Sequence, residues 1–153
     1  MQPHLDPIEF NWNLTPINFK STNLEQIGGL KLDFIKYINL YNLTMKSVQF
    51  RGKSLDDLRS FPATAMREAG FQIDRIQHGF QPDDFKPMPS VGSAAAEIRI
   101  WDEAGTFRVI YVAKFEDAVY VLHCFKKKIQ KTSKKDIDLA TKRYKDLIKE
   151  IAS

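Results

Sequence analysis

The sequence predicts an α+β domain: a strand, two helices, a meander of three antiparallel strands and a terminal helix. Two observations carry this reading. Between Ala96 and Phe125 apolar and polar residues alternate with a period of two, and on either side of that stretch apolar residues recur at helical spacing. A third is punctuation, because proline, glycine and capping residues fall where the period changes.

In chain order, Lys46–Phe50 reads as a short strand. Ser54 followed by Asp57 resembles a capping box opening a short helix with Leu55, Leu58 and Phe61. Pro62 can begin a second helix, along which Met66, Ala69, Ile73 and Ile76 share a face until Gly79. Residues 80–93 contain Pro82, Pro87, Pro89 and Gly92 and read as a loop. Strands are expected over Ala96–Trp101, Thr106–Phe115 and Val119–Phe125, with turns at Gly105 and Asp117. Ser133 and Asp136 then suggest a cap for a last helix whose apolar face is Ile137, Ala140, Tyr144, Leu147 and Ile151.

Composition narrows the class. A chain of 153 residues with 43% hydrophobic content suits one globular domain. It has no apolar run of about 20 residues to span a membrane and no secretory signal pattern. Cys124 is the lone cysteine, which excludes an internal disulfide and suits a cytoplasmic location. Its apolar strand setting marks a buried structural thiol. No cofactor motif emerges: Gly52, Gly70 and Gly92 form no phosphate cradle, and no His, Asp and Glu cluster has metal-ligand spacing.

The chain divides at Met45. All the asparagines precede it, and residues 1–44 are rich in residues with AT-rich codons. Their one amphipathic stretch, Leu32, Ile35 and Ile38, is interrupted by Lys36 and Asn39. Met45 is expected to be the natural start, with 1–44 an upstream extension of the reading frame; the alternative is a true N-terminal arm. Of the 23 basic and 19 acidic residues, three and four respectively lie before Met45, so residues 45–153 carry a net +5. Such a domain favours a polyanionic partner such as RNA.

Four phrases carry a resemblance: Phe85-Lys86-Pro87-Met88-Pro89-Ser90-Val91-Gly92, Glu97-Ile98-Arg99-Ile100, Phe107-Arg108-Val109-Ile110-Tyr111-Val112, and Val121-Leu122-His123-Cys124-Phe125-Lys126-Lys127-Lys128 continuing to Gln130-Lys131-Thr132. Their order and spacing across 46–150 resemble the phage-derived, HigB-type branch of the RelE/ParE toxin superfamily. Trp101, where a polar residue is common, and Ser133, where proline is common, depart from it. The resemblance implies a small RelE-like fold and a toxin that cuts mRNA, in many relatives on the ribosome. It also implies inhibition by a helix-turn-helix antitoxin.

Metal-independent RNA cleavage lets the ribose 2′-OH attack the adjacent phosphate. It needs a base, positive charge at the phosphorane and an acid for the departing 5′-oxygen. Arg108 is the leading candidate for the charge, since a guanidinium can grip two phosphate oxygens; otherwise it is a solvated strand residue, with no core role expected for its head. Arg99 either holds a second phosphate or pairs with Glu97 or Glu116. His123, alternating with Val121 and Phe125, is an acid, a base or a satisfied core histidine. Tyr111 is a stacking or proton-donating candidate, although three residues from Arg108 it points to the other face unless a bulge intervenes. Glu97 is a candidate base or a partner of Arg99.

Lys86, Lys126, Lys127, Lys128 and Lys131 are candidate RNA-backbone contacts, or else a solvated charge run. Phe80 and Phe85 are candidates to flank the substrate groove. Two further classes compete with an endoribonuclease: a non-catalytic nucleic-acid or protein interaction module, and a gyrase-targeting toxin of the ParE type. On the division at Met45, a chain beginning there is expected to fold and inhibit growth as the full chain does. Circular dichroism and induction check this, and loss of folding would make residues 1–44 part of the domain.

Overall fold

The computed structural model describes residues 45–153. The 1–44 segment and its amphipathic stretch lie outside the described residues. Eight elements follow in order: β1 (Ser47–Phe50), α1 (Ser54–Arg59), α2 (Ala63–Gln77), β2 (Phe85–Pro87), β3 (Ala95–Asp102), β4 (Gly105–Val112), β5 (Ala118–Lys127) and α3 (Lys134–Ala152). The fold is α+β, as the periodicity predicts, and it matches a small RelE-like domain.

The strands form one sheet ordered β1-β5-β4-β3-β2. The meander is antiparallel, but β1 lies parallel to β5, with Ser47 opposite Ala118. The sheet is therefore mixed. Helices α1 and α2 carry the chain from one edge to the other. On their side Leu58, Ala69 and Ile73 pack against Ile98, Ile100, Phe107, Val109 and Val121. On the opposite side Ala140 and Leu147 of α3 meet Val112, Ala118, Tyr120 and Leu122. Cys124 is buried, and burial foremost pushes its thiol above its ordinary range, with Asp57 adding to the effect. It is an inert core residue.

Local chemistry explains the ends of the helices. Gly79, at φ 83°, ends α2 in a Schellman arrangement: its N–H donates to Ile76 O and that of Phe80 to Arg75 O. Ser133 caps α3 by accepting from Asp136 N at 3.2 Å. The capping-box reading of Ser54 is corrected, because Ser54 is buried and its hydroxyl donates to Val121 O at 3.2 Å. The hydroxyl ties α1 to β5, and α1 ends at Arg59, before Phe61.

Two further corrections concern the sheet. Residues 85–87 are a strand within the expected loop, and as an edge strand β2 tolerates Pro87. In β5 the register skips between Ile110, opposite His123, and Tyr111, opposite Val121. Leu122 is thus a bulge residue, and it shifts the side-chain phase of everything after it.

Candidate functional site

Register decides which side chains meet. The tight turn after β3 sets Asp102 opposite Gly105, and therefore Arg99 opposite Arg108 and Trp101 opposite Thr106. Across the next pairing Phe125 stands opposite Arg108 and Lys127 opposite Thr106. Lys86 stands opposite Glu97 on the other flank. Beyond His123, the sheet face that carries α3 thus bears Glu97, Arg99, Trp101, Arg108 and Lys127 where apolar core would otherwise continue.

Glu97 is the centre of this cluster and is fully buried. Its Oε2 accepts from Thr132 Oγ1 at 2.7 Å. Its Oε1 lies 3.3 Å from Arg108 Nε and 3.7 Å from Lys86 Nζ. Among the described residues neither Glu97 Oε1 nor Arg108 Nε completes an aligned hydrogen bond, so charge alone holds that contact. A buried carboxylate needs such partners, because an isolated charge out of water is strongly disfavoured.

Arg108 is 2% exposed. Its Nη1 donates to Phe107 O at 2.9 Å, and its guanidinium sits 5.4 Å from the centre of the Trp101 ring. Burial draws its pKa below the ordinary arginine value, Arg99 adds to this, and Glu97 and Asp84 oppose it. The expectation of a solvent-facing head is corrected: Trp101 covers it and Glu97 neutralises it. Arg99 corrects a second expectation, since its partner is Asp84 at 3.4 Å. Glu97 is already engaged by Arg108 and Lys86, and Asp84 lies at the edge of the sheet beside Arg99. The same Asp84 accepts from Trp101 Nε1 at 2.8 Å.

Lys127 faces the same cluster. Burial, followed by the charges of Arg108, Lys86 and Arg99 against that of Glu97, draws its ammonium below the usual lysine range. Lys126 points to the other face, its Nζ 5.8 Å from the Phe107 ring centre. It lines a cleft of about 790 Å³ with Phe61, Lys127, Lys128, Lys131, His123 and Asp136. Alternation turns Lys126 and Lys127 to opposite faces of the sheet, yet all three lysines of the run border this one cleft at the end of β5.

His123 joins the charged face through the Leu122 bulge, which separates it from Val121. Its Nε2 contacts Asp136 Oδ1 at 2.8 Å and its ring stacks on Phe125, centroids 4.9 Å apart. Asp136 also accepts from the Ser133 hydroxyl, so His123 anchors the start of α3. Tyr111 is not brought to the cluster: β4 is regular there, and the ring is buried with Val109 and Ile98 under α2. Phe85 stands opposite Ile98 and so shares that other face. Phe80 closes α2, its ring 5.9 Å from Arg75. Neither phenylalanine flanks the cluster.

Asp84, Thr132 and Asp136 are the members that sequence reasoning missed. Thr132 ends the Lys-Thr pair beyond the lysine run, but nothing local marks it as a partner of Glu97, 35 residues away. Among the described residues no group of three or more His, Cys, Asp and Glu side chains could hold a metal ion, and no helix is long and apolar enough to cross a membrane.

The sheet is that of a small RelE-like domain, and one of its faces gathers a converging set of cations. Residues 56–145 match the family described as phage derived protein Gp49-like (DUF891), and the chain belongs to that family. A comparison with curated proteins finds no match.

Burial pushes the Tyr111 phenol up to about 12 from 10.0. Its contribution to stability is complete below pH 10 and is lost as the pH rises towards 12, because the folded protein disfavours the phenolate. Tyr111→Phe should remove that part of the alkaline destabilisation. Denaturation midpoints between about pH 8 and 12 for the parent and Tyr111→Phe check this.

Proposed function

We propose that this chain is a HigB-type toxin, a metal-independent endoribonuclease that cuts mRNA in the cytoplasm, in association with the ribosome, and is held inactive by a helix-turn-helix antitoxin. The observation that carries the reading is the convergence of Lys86, Arg99, Arg108 and Lys127 on one sheet face, with the carboxylates of Glu97, Asp84 and Asp136 to balance them. Four positive charges against three negative leave a surplus of one where a phosphodiester can dock. Arg99 and Lys86, with side chains 35% and 36% exposed, are open to make the first contact. Arg108 lies beneath, where a shift away from Glu97 brings its guanidinium to the phosphorane.

In this mechanism the 2′-hydroxyl gives its proton to solvent water as its oxygen bonds to phosphorus, the bond to the 5′-oxygen breaks, and a 2′,3′-cyclic phosphate remains. Lys127, its pKa already drawn down, is suited to pass a proton to the leaving oxygen. His123 and Glu97 are less available for proton transfer, being engaged by Asp136 and by Thr132 with two cations respectively.

One observation favours a second reading, that of a module which binds without cutting: the Arg108 head is neutralised and covered. Inducing the full chain and mapping RNA 5′ ends separates the possibilities. Discrete cuts in mRNA, suppressed by the neighbouring antitoxin gene, support the toxin. Growth inhibition without cuts, or DNA damage without cuts, overturns the nuclease reading in favour of a binding module or a gyrase poison.

The lysines give a graded prediction. Replacing Lys126, Lys127 and Lys128 by alanine should weaken RNA binding and flatten the dependence of log K on log salt by roughly one unit for each phosphate that is no longer bound. An unchanged slope would make the run a solvated surface.

A further inference from the structure

Trp101 has an environment that packing does not explain. It is 66% exposed on strand β3, among the most exposed of the large apolar side chains in the described residues. Exposed indoles ordinarily rotate, yet this one is fixed twice. Its Nε1 donates to Asp84 at 2.8 Å, and Asp84 is itself held by Arg99. Its ring lies over the Arg108 guanidinium, 5.4 Å from centroid to Cζ. The two contacts use the indole edge and one of its faces. The second face is left open beside Arg99, with Lys127 across the sheet opposite Thr106.

We propose that Trp101 is a stacking platform for a nucleobase of single-stranded RNA, the base lying on the open indole face while the adjoining phosphate meets Arg99 and Lys127. This rests on RNA being the substrate. A flat aromatic surface held rigidly beside cations is the arrangement that binds a base and its phosphate together, because every base has a π-face and every nucleotide a charge. The ring loses little freedom on binding, since Asp84 and Arg108 have already oriented it. Purines offer the larger face and should be preferred. Trp101 would thereby fix which nucleotide lies next to the scissile bond.

The test uses the full chain carrying Trp12→Phe, which leaves Trp101 as the sole indole. The probes are uncleavable 2′-O-methyl hexanucleotides of adenine and of uracil, and an abasic oligomer of equal charge. Adenine hexamers should quench the indole fluorescence and bind more tightly than the abasic oligomer. Trp101→Leu should weaken adenine binding by about tenfold with the abasic affinity unchanged, and Trp101→Phe should recover most of the loss. The mRNA cut sites of Trp101→Leu should also lose any purine preference. RNA binding with unchanged fluorescence, or equal affinity in Trp101→Leu, overturns the platform and leaves the nuclease reading intact. If Trp101→Leu instead abolishes antitoxin capture at full RNA affinity, the indole belongs to a protein interface and the proposal falls. Failure of every oligomer to bind at low salt overturns both readings together.

Discussion

Under the proposed nuclease function, Arg108→Ala is expected to slow RNA cleavage by about 10²–10³, comparable to the loss of one donor to an oxyanion, and also to destabilise the fold. The two effects have separate origins. The rate falls because the charge on the phosphorane loses its deepest cation. Stability falls because Glu97, fully buried, loses its nearest positive partner. Breaking a buried pair from one side costs about 3–5 kcal/mol. The lower end applies here, since Thr132 and Lys86 still hold the carboxylate. Arg108→Lys should restore part of the stability but little of the rate, because an ammonium cannot grip two oxygens. Urea titrations and single-turnover cleavage measure the two effects independently. A folded Arg108→Ala protein that cuts at the parent rate removes Arg108 from the mechanism; one as stable as the parent shows that Glu97 does not depend on it.

Glu97→Gln should act in the opposite sense on binding. It removes the carboxylate about which Arg108 and Lys86 gather and leaves their charges facing Arg99 and Lys127. The cost to stability should again be about 3 kcal/mol at low salt, shrinking as added salt screens the repulsion. A bound polyanion should stabilise the variant more than the parent, since it supplies the missing negative charge. RNA affinity should therefore rise while the melting temperature falls. Thermal melts with and without an uncleavable oligonucleotide check the pairing of these effects. A variant as stable as the parent at every salt concentration would mean that the cations tolerate one another unaided.

The parts of the fold legible from sequence are those with sustained period. The alternation in β3, β4 and β5 points to the meander, and Ala140 and Leu147 mark the buried line of α3. What escapes depends on partners distant in sequence. Pro82, Pro87 and Pro89 argue for a loop at 80–93, yet an edge strand needs ladder bonds on only one side. The Leu122 bulge leaves no mark on the composition of an all-apolar segment, so His123 cannot be assigned to its face from sequence.

For the site, Arg108 and Glu97 can be singled out as residues but not as partners. The missing quantity is the register of β3 against β4. The tight turn between Asp102 and Gly105 contains that register, and once it is set, Glu97 and Arg108 become diagonal neighbours on one face. An acid and a base in matching phase on consecutive strands is the signal that could have revealed the pair. Asp84 and Thr132 reach the cluster through loops, where no period exists to read.

The parallel pairing of β1 with β5 also sets an order of events during synthesis. Ser47 and Asp117, joined by a hydrogen bond, are 70 residues apart, and Lys46 reaches further to the carbonyls of Ala113 and Phe115 at 2.7 Å. Strand β1 therefore cannot dock until nearly all of the described sheet has left the ribosome. Closing so long a segment before any contact rewards it is slow compared with closing the hairpins of the meander. The β3–β4–β5 meander, carrying most of the cationic cluster, can assemble while the amino-terminal strand is still waiting. Among the described strands the last to join is the first translated, and until it does the outer edge of β5 stays open to whatever chain in the vicinity offers a strand of its own.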